Sequence, residues 1–189
     1  MTPPVNEAFV IQGGVNYDVL AWPMAFAQER RVLAQVMSYE YLWHAVREVG
    51  GAYGTGMLPG SGVELLYTYR DPHIRGSYEN FAKGPAELAG REYTGSDLNE
   101  FIVGTMARFD PPRKPRQQAL ETDRRWFCGV TDQLDAADRA AICGVTAQWL
   151  KTAAAELARP MAGGVRCAFG SREAIEGAKD LFDVIESLE

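Results

Sequence analysis

The sequence predicts an α+β domain: a mixed, mainly antiparallel sheet with helices packed on one of its faces. Three observations carry this. The segments read in the order strand, helices, two strands, several helices, strand, helix, which is the order of a layered α+β unit. Most of residues 74–160 repeats its apolar residues at helical spacing. Residues 52–58 and 62–70 flank Pro59-Gly60-Ser61 as two strands flank a turn. The 189 residues, 47% of them hydrophobic, suffice for one substantial core. No repeat, low-complexity stretch or linker divides them, so residues 1–189 are read as a single domain.

Residues 5–12 open as a strand, broken by Gly13-Gly14, with an irregular stretch following to Pro23. Phe26, Leu33, Val36 and Met37 then share a helical face, and Leu42, Ala45, Val46 and Val49 continue it at i, i+3, i+4 and i+7. Gly50-Gly51 ends this helix, because glycine adopts the positive φ of a C-terminal cap. Residues 52–58 and 62–70 form two strands; Val63, Leu65, Tyr67 and Tyr69 lie on one face of the second, Glu64, Leu66, Thr68 and Arg70 on the other. Asp71-Pro72 stops the strand, since proline removes a ladder donor.

The clearest apolar stripe beyond is Leu98, Phe101, Ile102, Met106 and Phe109, closed by Asp110-Pro-Pro112. A helix from Pro115 to Cys128 ends at Gly129, a short one follows Asp135, and Thr146 caps another that reaches Arg159-Pro160. Residues 164–169 return as a strand. Ser171 caps a last helical region in which Leu181, Val184, Ile185 and Leu188 keep helical spacing, with a break at Gly177.

A formal charge of −6 without any Lys- or Arg-rich block argues against a nucleic-acid backbone or an anionic membrane as partner. Nothing near Met1 has the layout of a secretory signal, and no apolar run approaches the roughly 20 residues that span a bilayer. A soluble, cytoplasmic protein is expected. Cys128, Cys143 and Cys167 show no Cys-x-x-Cys spacing and are expected as reduced, mostly buried thiols.

Arg47, on the last helical turn, and Tyr53, on the strand beyond Gly50-Gly51, are the candidate binding pair. A guanidinium presents a planar fork of donors and a phenol one hydroxyl donor. Each residue alone has a plainer reading, the arginine as a helix C-terminal cation and the tyrosine as a packed strand aromatic. His44 and His73, 29 positions apart, cannot share one helix face as a zinc site requires. Glu40, His44 and Glu48 fall at i, i+4, i+8, a row that surface helices carry without metal. The glycines at 50, 51, 54, 56, 60 and 62 fit neither Gly-x-Gly-x-x-Gly nor a phosphate loop, and Ser61 is one residue short of a nucleophile elbow. Tyr69-Arg-Asp-Pro72 reads as a strand end whose arginine and aspartate pair locally.

Taken with Asn6-Glu-Ala-Phe-Val10, Val15-Asn-Tyr17, Tyr41-Leu-Trp43 and Gly104-Thr-Met-Ala-Arg-Phe-Asp-Pro111, the run from Arg47 to Pro72 resembles the C-terminal domain of the presequence-protease branch of the insulinase (pitrilysin) zinc metallopeptidases. The resemblance runs from about Asn6 to the last helix. It implies the α/β roll of those domains, and a substrate-side domain of a larger peptidase. Family enzymes carry zinc on an inverted His-x-x-Glu-His motif in their N-terminal half; this chain lacks the motif, so it is expected to bind no metal and to be inactive alone. By the same resemblance Arg47 and Tyr53, with Gly50 and Gly51 between them, contact the bound peptide and assist the zinc site of that other half. The implied partners are the zinc-bearing half and unstructured peptides. A non-catalytic subunit or a peptide-binding module of the same family is the alternative.

Overall fold

In the computed structural model, residues 5–188 are described. They form one six-stranded sheet in the order β3-β4-β2-β5-β1-β6, where β1 is Glu7–Val10, β2 Tyr17–Met24, β3 Gly54–Pro59, β4 Gly62–Tyr69, β5 Val165–Gly170 and β6 Val184–Ser187. The β3-β4, β4-β2 and β2-β5 pairs are antiparallel, while β1 is parallel to both β5 and β6. The mixed, mainly antiparallel α+β expectation therefore holds.

Two strands depart from the sequence reading. Residues 17–24, expected to be irregular, are β2, at the middle of the sheet. Its inward residues are Asp18, Leu20 and Trp22, and its outward ones Tyr17, Val19 and Ala21. Apolar side chains on both faces and a charge among the buried ones erase the alternation that identifies a half-buried strand. The last segment, expected to be helical, is a short helix followed by the strand β6. The exposure of all four β6 residues and their pairing with β1 explain why helical spacing misled: the strand's partner is 177 residues away in sequence, at Glu7↔Val184.

The helices are α1 (Arg30–Val36), α2 (Ile74–Gly90), α3 (Gly95–Phe109), α4 (Pro115–Phe127), α5 (Asp132–Cys143), α6 (Ala147–Ala162) and α7 (Arg172–Glu176). α1 passes directly into a π-helical stretch, Met37–Glu48. α5 begins before Asp135, capped by Thr131, and α6 runs through Pro160 to Ala162. Phe81 and Leu88 of α2, Leu150 and Leu157 of α6, Val32 and Leu33 of α1 and Leu42 of the π stretch are all buried. They join Leu20, Trp22, Leu66 and Ala168 of the sheet in one core. Full burial of each such side chain contributes about 1.5–3 kcal/mol. The α3 stripe forms as its spacing predicts, with Phe101 buried and Leu98, Ile102, Met106 and Phe109 packed against the core.

The face of β4 that joins the core is the polar-looking one: Glu64, Leu66 and Thr68. Each polar group there has a partner, which makes its burial tolerable. Arg30 forks onto Glu64, with Nη2 donating to Oε2 at 2.6 Å, and ties the start of α1 to the sheet. Thr68 Oγ1 donates to Asp18 Oδ2 at 2.8 Å. Cys128 and Cys143 are exposed and Cys167 is half-buried, against the expectation of buried thiols. They lie at helix ends and on the outward face of β5, where the core does not reach. No helix among the described residues is long and apolar enough to cross a membrane.

Candidate functional site

The π stretch sets which side chains the site receives. Ser38 donates its hydroxyl to the Ala34 carbonyl at 2.6 Å and accepts from Met57 N at 2.9 Å, placing a polar side chain in the helix ladder where the winding changes. Beyond it the backbone bonds i to i+5, as His44 O accepting from Val49 N shows. A wider turn repeats its face every four to five residues, and Met37, Leu42 and Val46 are the buried set. Val49, expected on the core face from α-helical spacing, is displaced to the surface, 73% exposed.

The chain then reverses in three residues. Gly51 N donates to Arg47 O at 3.0 Å and Ala52 N to Val46 O at 3.1 Å, closing the helix end. Gly51 has φ +82°, the left-handed region, and a Cβ at Gly50 would stand 2.5 Å from Val46 O. Both glycines are thus required by the turn itself. Ala52 is buried as its anchor, and Tyr53 N donates to Arg70 O at 3.3 Å, so Tyr53 sits on the bend just before β3 rather than within a strand.

This turn brings the two predicted residues together. The Arg47 Cζ lies 5.8 Å from the Tyr53 ring centroid, and Tyr53 is 65% exposed. On its other side the guanidinium stacks over Trp43, with Cζ 3.9 Å from that ring. Tyr53 meets Tyr69 edge-on at 6.0 Å, and Tyr69 meets Tyr17 edge-on at 5.4 Å, so a row of tyrosines continues from the pair onto the open face of the sheet. Gly56 is paired with Tyr67, whose ring comes within 3.1 Å of where a Cβ would stand, and Gly54 is paired with Tyr69. Trp43 was not singled out as a site residue; its i, i+4 relation to Arg47 is the sequence signal that points to it.

No carboxylate among the described residues is within ion-pair distance of Arg47, so its donors remain free. Glu48 beside it is engaged elsewhere: its Oε2 lies 3.0 Å from His44 Nδ1, and its Oε1 accepts from Trp43 Nε1 at 3.2 Å. The hydrogen bond to His44 holds the Glu48 carboxyl below the usual carboxylate range, with smaller contributions from Trp43 and Arg47. Glu40 turns away to pair with Arg91, which dissolves the Glu40, His44, Glu48 row. His73 starts α2, remote from His44 in sequence, and no group of three metal-ligating side chains occurs among the described residues. The residues present do not fit a zinc site.

At Tyr69-Arg-Asp-Pro72 the local ion pair expected between arginine and aspartate does not form. Asp71 is fully buried, accepting from Ser77 Oγ and, at 2.8 Å, from His73 N, and its backbone pairs with Asn16. Arg70, at φ +53°, turns outward, and its carbonyl holds Tyr53. A cavity of about 660 Å³ opens behind the turn, lined by Gly50, Pro72, His73, Asn80 and Ser171 among others; Arg47 and Tyr53 do not line it.

The fold is the α+β fold of M16-type peptidase domains. A structure of that fold, the peptidase M16 inactive domain from Pseudomonas fluorescens, superposes with a TM-score of 0.64 at 12% identity, covering 89% of this chain and 44% of the other. Residues 6–153 match the family described as the PreP C-terminal domain, and the chain belongs to that family. Similar sequences include Protein HypA of Clostridium perfringens, 26% identical over 97% of this chain and 19% of the relative. The mitochondrial presequence protease of Mus musculus is 30% identical over 58% of this chain and 10% of its own length. The chain spans a fifth or less of the length of these curated relatives.

Proposed function

We propose that this chain is the metal-free C-terminal domain of a zinc metallopeptidase that degrades unstructured peptides, and that it presents Arg47 and Tyr53 to a zinc site held by an N-terminal half. The observation that carries the reading is the pair itself: a guanidinium with no ion-pair partner among the described residues, 5.8 Å from an exposed phenol ring, both held by a turn that tolerates little but glycine. Peptide-bond cleavage places negative charge on the carbonyl oxygen, and a donor fixed in advance stabilises that charge more than it stabilises the starting carbonyl. Tyr53 Oη is the donor in this reading. Arg47, with its planar fork, binds a neighbouring backbone carbonyl or a carboxylate of the peptide. Gly50 and Gly51 contribute by letting the peptide backbone approach the turn. The chain alone has no peptidase activity in this account and works in a soluble, cytoplasmic setting.

A non-catalytic subunit of the same family is the second reading, supported by the likeness to a domain described as inactive. The test is kinetic, in the enzyme assembled from this domain and a zinc-bearing half: Tyr53→Phe lowers kcat if Tyr53 acts on the reacting carbonyl, and leaves it unchanged if the domain only completes the fold.

A further inference from the structure

We propose that Trp43 is a positioning residue for Arg47, fixing the guanidinium by its aromatic face so that all its hydrogen-bond donors stay available to the peptide; this rests on the role proposed for Arg47 above. A flexible arginine at a binding site has to be located by something. A carboxylate would locate it by occupying its donors, and Arg47 has none within reach among the described residues. An aromatic face does the same work without using an N–H, because the cation sits over the ring's negative face while its donors point outward from the guanidinium edge. The 3.9 Å separation of Arg47 Cζ from the Trp43 centroid is much closer than the 5.8 Å to Tyr53, so Trp43 is the ring that holds it.

Trp43 is itself held on two sides. Tyr39 stacks against it at 6.0 Å and 25° between planes. Its indole N–H donates to Glu48 Oε1 at 3.2 Å, and the other oxygen of Glu48 is 3.0 Å from His44 Nδ1. Ring, carboxylate and imidazole all stand on the π stretch, whose wider winding turns these side chains outward while Leu42 and Val46 stay buried. At 36% exposed, Trp43 contributes little to the core, which separates a positioning role from a folding one.

Two measurements test this. In this chain, the Arg47 Nε–H proton resonance is shifted upfield by the Trp43 ring; Trp43→Ala moves it downfield, and Trp43→Phe restores part of the shift. In the assembled enzyme, Trp43→Ala lowers kcat/KM about two- to fivefold, the range an exposed cation–π contact supports. Trp43→Phe recovers most of that loss, and Trp43→Ala adds nothing in an Arg47→Ala background. An unmoved Arg47 resonance in Trp43→Ala overturns the proposal. So does wild-type kcat/KM in Trp43→Ala beside an impaired Arg47→Ala, or a full additional loss in the double variant. Wild-type kinetics in Arg47→Ala overturns the reading of Arg47 itself, and this proposal with it.

Discussion

Asp18→Asn should remove most of the pH dependence of folding stability between pH 5 and 8. Asp18 is fully buried on β2; its Oδ2 accepts from Thr68, and its Oδ1 has no partner among the described residues. Burial raises its carboxyl from 3.8 to about 7; the Thr68 hydrogen bond opposes the rise and the nearby Asp71 charge adds to it. Because the folded-state value lies above the unfolded one, the native protein holds the extra proton between these limits. Stability is therefore complete below pH 3.8 and is lost as pH rises through about 7. At about 1.4 kcal/mol per pH unit the whole displacement corresponds to about 4 kcal/mol, of which about 3 kcal/mol falls between pH 5 and 8. Asparagine keeps an acceptor for Thr68 and cannot ionise. Urea unfolding of wild type and Asp18→Asn at pH 5 and pH 8 reads the difference directly, since every other group titrates in both proteins. An equal loss of stability in the two proteins would refute the reasoning.

Arg30→Ala leaves Glu64, 1% exposed, as an unpaired buried carboxylate, and is expected to cost about 3–5 kcal/mol in urea unfolding; replacing both residues by apolar ones should recover most of it. A cost below about 1 kcal/mol would mean the pair is solvated in solution. Trp126 and Phe127, 76% and 79% exposed at the end of α4, a helix with no buried residue, should drive concentration-dependent association in sedimentation, weakened by Trp126→Ser. A strictly monomeric wild type at high concentration counts against this.

Elements with a clear period and a local stop were legible in the sequence: α3 from its stripe, the β3–β4 hairpin from its Pro-Gly-Ser turn, and the glycine-closed end of the helix that carries Arg47. β2 was not, because a strand apolar on both faces and carrying a buried aspartate has no alternation to read. β6 was not, because its identity comes from pairing with β1 at the far end of the chain. The π winding was equally hidden. Val49 obeys α-helical spacing in the sequence and leaves the core only because the backbone widens after Ser38. At the site, the pairing of Arg47 with Tyr53 followed from residue types and the family resemblance. The stacking on Trp43 and the tyrosine row depended on three-dimensional placement, as did the close approach of the Tyr67 ring to Gly56.

The central claim is that Tyr53 acts on the reacting carbonyl of a peptide bound between this domain and a zinc-bearing half. Steady-state kinetics of Tyr53→Phe in the assembled, zinc-loaded enzyme tests it most directly, with metal content and melting temperature as controls. Loss of one preplaced donor to a developing oxyanion costs about 3 kcal/mol. The account therefore predicts kcat lowered about a hundredfold with zinc content and folding unchanged; a wild-type kcat in Tyr53→Phe would contradict it.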